Sequence, residues 1–287
     1  MQQTLELKEN MGEEFKSLVG SIAPFCGEAT LKLDDDGFTI RFMDESSVAL
    51  LEITGDNRLF TLKGDKPKKK KVVWNVTIPI EALNNVLKRM GYGDYTLVID
   101  RQIKVSNSDK EYVLPLIDEE INQPRLPKIK YKAGFDLRGS RLRDAIKDVE
   151  LVDEHVRLAT DGKTLVLSTK KQDTDEVRGA ESTLSSGQLG KIYADKKQTA
   201  TYTAVYMHNF LKLVGDGEVK GEFGTETPIH LSFDKEFTEW EQGKDYKDSS
   251  RVEKYKISYN FWIAPRVEND MEKENDSEDV SAEEGAE

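Results

Sequence analysis

Cysteine is almost absent from this chain of 287 residues: Cys26 stands alone. That excludes an internal disulfide framework and fits a reducing compartment. Histidine is nearly as scarce. His155, His208 and His230 lie far apart, each inside a helix or strand pattern, with no metal-ligand spacing among them. No apolar run reaches the ~18–20 residues that cross a bilayer, and MQQTLELKEN at the N-terminus lacks the apolar core of a signal peptide. The glycines form neither a phosphate loop nor a dinucleotide fingerprint. Those in GYGDY and GDGEVKGEFG follow helices, where glycine caps and turns the chain. Asp34-Asp35-Asp36 lacks the alternate spacing and distal glutamate of a calcium loop and reads as a hairpin turn. The residues offer no catalytic constellation, no metal site and no cofactor site, so the chain is not expected to be an enzyme.

What the chain does have is a long repeat. EATLKLDDDGFTIRFMD, from Glu28, returns about 125 residues later as DEHVRLATDGKTLVLST, from Asp153, with Asp36-Gly37 aligned on Asp161-Gly162. ALNNVLKRMGYGD returns at nearly the same offset as YMHNFLKLVGDGE, placing Leu87-Lys88 on Leu211-Lys212 and Gly91 on Gly215. Solenoid units run roughly 20–50 residues, so a period this long means a duplicated domain. The expected organisation is a first domain over 1–116, a connecting loop over 117–131, a second domain over 132–267 and an acidic tail over 268–287. The tail carries ten acidic residues against Lys273 alone, which leaves only −3 of the net charge of −12 for the body. Charge placement rather than net charge then decides whether a face can bind phosphate.

Local patterns fill in each copy. Phe15, Leu18, Val19 and Ile22 fall on one face of a helix over about 11–23, which Pro24 ends. Residues 31–33 and 38–42 alternate as a hairpin, with more strand at 48–53 and 59–62. Pro79 opens a second helix, closed by Gly91. Further strands are expected near 95–99, 103–106 and 112–116. In the second copy Ser140 is the expected N-cap of a helix that buries Leu142, Ala145, Ile146 and Val149, and another helix spans about 206–214. Residues 234–250 read as a polar insertion missing from the first copy. Two helices among many short strands in each copy give an α+β fold.

Basic side chains recur on the helix faces. Lys88 and Lys212 are equivalent in the two copies, Arg141, Arg143 and Lys147 share a third helix, and Lys16 lies on the first. Such faces are either ordinary solvated surface or a sequence-independent, salt-sensitive contact with a phosphate backbone. The densest basic run, Lys68–Lys71, reads equally as a solvated loop.

These features together resemble the DNA sliding clamps of the proliferating cell nuclear antigen (PCNA) family, in their archaeal or viral form. MDESSVALLEI is similar to the family's MD-S-HVxLv stretch, LPLIDEEINQPRLPKIKY to its interdomain connecting loop, and FWIAPRVE to its C-terminal YYLAPKIE. The resemblance covers nearly all of residues 1–268. It implies two tandem clamp domains per chain and a head-to-tail homotrimeric ring of pseudo-sixfold symmetry, helices lining the hole and sheets outside. The ring would encircle duplex DNA non-specifically, touching phosphates through Lys16, Lys88, Arg141, Arg143, Lys147 and Lys212. Ala23 and Val205 stand where the family carries bases. The resemblance also implies a processivity factor for a replicative DNA polymerase in DNA replication and repair. Clamp loader, ligase and flap nuclease would be further partners. Clients would present a glutamine, an aliphatic anchor and two aromatics to a pocket of Met43, Val48, Leu50, Leu126, Pro127, Pro228, Trp262, Ala264, Pro265 and Val267, with backbone near Ala264 pairing with the client. Subunits would join through Tyr112, Leu114 and Leu116 on one side and Ala180, Ser182 and Leu184 on the other. No cofactor, metal or membrane is implied. The expected place is the cytoplasm beside the nucleoid, or the nucleus in a eukaryote. The rival readings are a checkpoint-type or heterotrimeric clamp subunit, and a nucleic-acid enzyme on a duplicated scaffold.

Overall fold

The computed structural model describes residues 4–7, 11–34, 37–56, 60–63, 74–91, 95–118, 123–169, 179–185, 187–240 and 252–266. The lysine run at 68–71, the acidic tail and Val267 lie outside them. Among the described residues the first copy runs β1 (Thr4–Leu7), α1 (Gly12–Ile22), β2 (Glu28–Leu33), β3 (Phe38–Met43), β4 (Ala49–Gly55), β5 (Phe60–Lys63), β6 (Trp74–Pro79), α2 (Ile80–Met90), β7 (Thr96–Ile99), β8 (Gln102–Ser106) and β9 (Glu111–Pro115). The second runs β10 (Ala133–Arg138), α3 (Gly139–Glu150), β11 (His155–Thr160), β12 (Leu165–Ser168), β13 (Glu181–Leu184), β14 (Leu189–Ala194), β15 (Gln198–Thr203), α4 (Ala204–Val214), β16 (Glu218–Phe223), β17 (Ile229–Trp240) and β18 (Val252–Ile263). The order of strands and helices is the same in both.

The repeat register differs from the sequence alignment by two residues. The innermost hairpin pairs are Leu33↔Phe38 and Thr160↔Leu165, so Leu31, Leu33, Phe38 and Ile40 match Leu158, Thr160, Leu165 and Leu167, an offset of 127. All eight are buried. Side chains alternate with a period of two, so a shift by two keeps every residue on its face and leaves no trace in the hydrophobic pattern. The aligned glycines have different tasks. Gly37 is required by the close approach of Gly55, whose carbonyl oxygen an added Cβ would overlap, whereas Gly162 takes a φ of 91°.

The helices are built as the periodicity indicates, with α1 burying Phe15, Leu18, Val19 and Ile22 and α3 burying Leu142, Ala145, Ile146 and Val149. One boundary moves. α3 starts at Gly139, with Arg138 rather than Ser140 at its N-cap. Gly139 packs too tightly against Val214 for any side chain, and its amide donates to the Gly217 carbonyl at 2.8 Å. The tertiary contact replaces a side-chain cap. The insertion also resolves differently. Residues 234–240 continue β17 and pair from Asp234↔Ser258 to Trp240↔Val252, so the two strands form a hairpin arm of 12 residues each. Residues 241–251 lie outside the described set.

Among the described residues three sheets result. β5-β1-β7-β8-β9 is five-stranded, β13-β12-β11-β15 is four-stranded, and β14-β10-β16-β17-β18-β4-β3-β2-β6 joins five strands of the second copy to four of the first. The joint is β18 against β4, from Ile257↔Gly55 to Ile263↔Ala49. One hydrophobic core runs through both copies. At the seam Phe261 stacks on Phe210 of α4 at 4.8 Å and meets Phe25 at 5.2 Å.

Candidate functional site

The helices lie on the core side of the sheets in the order α2-α1-α4-α3, each touching the next. With the apolar faces turned inward, Lys88, Arg141, Lys147 and Lys212 are left exposed. Lys212 Nζ donates to Asn209 Oδ1 of its own helix, at 3.2 Å. Arg143 is half-buried, its Nε enclosed without a hydrogen-bond partner among the described residues. Lys16 departs from the sequence expectation. Its ammonium donates to the Gly91 carbonyl at 2.6 Å and lies 3.7 Å from Glu13, so it caps the end of α2. Arg89, beside Lys88, is an exposed base that sequence reading misses, as is Lys110, whose Nζ donates to the Arg89 carbonyl at 2.9 Å. Lys110 sits in the turn between β8 and β9, where no periodicity marks it. Asp144 and Asp148 share the exposed side of α3. The face is therefore mixed in charge, suited to weak contacts with a phosphate backbone.

A second surface lies on the opposite side of the seam. Register carries one row across five strands, from Glu222 to His230, Trp262, Leu50 and Met43. Leu50 is only 5% exposed yet stands apart from the central core, while Met43 is 42% exposed. Val48, Leu126, Pro127, Pro228, Ala264 and Pro265 are half-buried. The connecting segment leaves at Ile117, whose amide bonds the Thr77 carbonyl at 3.2 Å, and returns at Lys132, whose amide bonds that of Phe223 at 3.3 Å. The Ala264 amide is already spent on the Val48 carbonyl, at 2.8 Å, and the Arg266 amide on Thr201, at 2.8 Å. Pro265 has no donor, so this backbone can offer a client only carbonyls. Sequence reading misses Tyr131 and His230. Both line this surface, His230 stacked on Trp262 at 4.6 Å and facing Tyr131 at 6.1 Å. Burial first, and then the charge of Glu222, push the Tyr131 hydroxyl up to about 12.

The rim between the copies carries an acid. Asp44 Oδ1 accepts the amides of Val48 at 2.8 Å and Ala49 at 2.6 Å, and Oδ2 accepts the Tyr206 hydroxyl of α4 at 2.7 Å and the Ser46 hydroxyl. Burial works against its ionisation, but the hydrogen bonds from Ser46, Ala49, Tyr206 and Val48 outweigh it and hold the carboxyl below the usual range. The group is a clasp between the two copies. Cys26 nearby is no nucleophile, since burial pushes its thiol up to about 12.

Among the edge strands of the three sheets, β9 and β13 carry the residues expected at the subunit boundary. β9 ends the five-stranded sheet with Tyr112 and Leu114 half-buried and Val113 49% exposed. Leu116 lies just past the strand. β13 ends the four-stranded sheet with Ser182 half-buried and Leu184 buried, and Ala180 just precedes it.

No protein-family model matches the chain. It is 26% identical over 266 residues to the DNA polymerase sliding clamp of Pyrococcus furiosus, spanning 89% of this chain and 96% of that one. The clamp of Thermococcus fumicolans is 27% identical over 264 residues, with the same coverage. Among solved structures, PCNA from Thermococcus kodakaraensis superposes with a TM-score of 0.71 at 20% identity, covering 91% of this chain and all of that one. A. fulgidus PCNA bound to the C-terminal region of FEN-1 gives 0.71 at 18%, covering 94% and 100%. With a fold duplicated element for element, and with similarity to these clamps along almost its whole length, the chain belongs to the PCNA family of DNA polymerase sliding clamps.

Proposed function

We propose that three copies of this chain close into a ring that encircles duplex DNA and tethers a replicative polymerase to it. The observation that carries the ring is the count of strands. Within the chain, five strands ending in β18 meet four beginning with β4. The two remaining sheets are again five strands, ending in β9, and four, ending in β13. Repeat equivalence places β9 with β18 and β13 with β4. Pairing β9 of one copy with β13 of the next would rebuild the nine-stranded sheet at each subunit boundary and cover both of those edges. Such a heterologous contact propagates head to tail until the rotation closes. The same logic makes the α1·α4 contact a template for α3 against α2 of the neighbour.

Both complementary edges belong to one chain, as head-to-tail self-assembly requires. Tyr112, Leu114 and Leu116 would face Ala180, Ser182 and Leu184 across the boundary. The helix layer would line the hole, with Lys88, Arg141, Arg143, Lys147 and Lys212 touching phosphates loosely, Lys16 mainly structural, and the ring holding DNA by topology. Clients would dock at the seam between Met43, Leu50 and Trp262 and the segment carrying Leu126 and Pro127. A flap nuclease is one such client, by analogy with the complex of the A. fulgidus clamp, and ligase and clamp loader are others. The ring itself performs no catalytic step. The domain limits proposed are 1–116 and 132–267.

Topological holding separates this reading from plain phosphate binding. The protein is threaded onto linear duplex, both ends are blocked, and the sample is moved to about 1 M salt, where contacts to phosphate are lost. Retention until a restriction cut frees an end is the expected result. Release from the blocked duplex at high salt would contradict encirclement.

A further inference from the structure

Arg41 and Glu52 are neighbours in register on β3 and β4, on the side of the sheet away from the core. Arg41 Nε donates to Glu52 Oε1 at 2.9 Å, and Nη2 donates to the same oxygen. The remaining nitrogen, Nη1, donates to the Pro124 carbonyl at 3.3 Å. Glu52 is only 8% exposed, a burial that a carboxylate tolerates when it is paired. Nothing in the strand itself needs this pair, since a sheet face is served equally well by two neutral residues. The pair fixes a guanidinium so that its free edge meets the connecting segment.

The other end of that segment is held differently. Tyr131 faces His230, and His230 stacks on Trp262. His230 is set in place by Glu222 at 3.3 Å and Asn260 at 3.1 Å. Arg41 and Glu52 belong to the first copy, His230 and Trp262 to the second. The segment between the two anchors therefore straps the β18–β4 seam, and Leu126 and Pro127 lie between its fixed ends.

We infer that Arg41, held by Glu52, is a positioning residue for client binding: it pins the connecting segment at Pro124 so that the wall made by Leu126 and Pro127 is set before a client arrives. The inference rests on the reading of this seam as the client groove. A preset wall spares the client the entropy of ordering it. Lysine cannot serve both oxygens, because the fork of the guanidinium is what reaches Glu52 and Pro124 together.

The test uses the full chain and a fluorescent peptide carrying a glutamine, an aliphatic anchor and two aromatics. R41A and R41K are compared with the parent and with W262A, a groove control. Three readouts are taken: amide hydrogen exchange at Arg125 and Leu126, peptide affinity, and melting temperature. R41A is expected to speed exchange at Arg125 and Leu126 and weaken the peptide about three- to tenfold through faster release, with a lower melting temperature because Glu52 loses its partner. R41K, which keeps a charge beside Glu52 and so the parent's melting temperature, should match R41A in exchange and peptide affinity. Unchanged exchange and affinity in R41A, with the parent binding and W262A not, would overturn the pin alone. Tighter binding by R41A would overturn it too, since the segment would then be a barrier. A parent that does not bind the peptide would remove the groove reading itself.

Discussion

At the scale of single residues, the side chains that matter most here are polar groups whose partners come from distant parts of the chain. Asp44 ties the loop before β4 to α4 through Tyr206, 162 positions away. Its carboxylate serves donors on both oxygens, so an amide in its place must turn a donor toward a donor. D44N is expected to cost about 1–3 kcal/mol, the penalty for leaving buried hydrogen-bonding groups unpaired, read as a fall of several degrees in melting temperature at pH 7. The folded carboxyl titrates below its unfolded value of about 3.9. Its contribution is therefore complete above that value and is lost as pH falls through the lower, folded one. The gap between parent and variant should narrow below about pH 4. A gap constant from pH 7 to pH 3 would deny the clasp its ionic character. Asp44's partner is not readable from sequence because it depends on how the two copies dock, nor is the Arg41–Glu52–Pro124 contact, because it depends on where the connecting segment crosses β3. The apolar pocket residues are legible only through the resemblance, since in isolation they are indistinguishable from core.

Elements are far more legible than their connections. The apolar spacing of Phe15, Leu18, Val19 and Ile22, and the glycines at 91 and 215, locate α1 and the ends of α2 and α4 within a residue or two. The hairpin register is not legible, for a slip by two preserves every face. Nor is the extension of β17 beyond Phe233, where Asp234, Lys235 and Glu236 interrupt the alternation that marks a strand. Among the elements, the open strand edges carry the most weight for assembly. Pro115 has no N–H and yet pairs in register with Gln102, which suits a position whose amide would face away from β8. Val113 has the same parity, so its amide should face outward as well. V113P should leave the fold intact, within about 1 kcal/mol, as expected for an edge strand, while removing a donor from the subunit boundary. The expected outcome is a monomer with the parent's circular dichroism. A variant that assembles like the parent would rule out β9 as the joining edge.

For the whole molecule, the duplication does the organising. Each chain holds one completed seam and two halves of another, so assembly repeats within a ring what folding has already done within a chain. That account predicts closure and stoichiometry together. Its most direct test is the absolute mass of the parent protein by light scattering on a size-exclusion column, across a range of concentrations. The account predicts a mass three times that of the 32.6 kDa chain, with dissociation only at the dilute end. A strict monomer at every concentration would contradict a ring built from this chain alone.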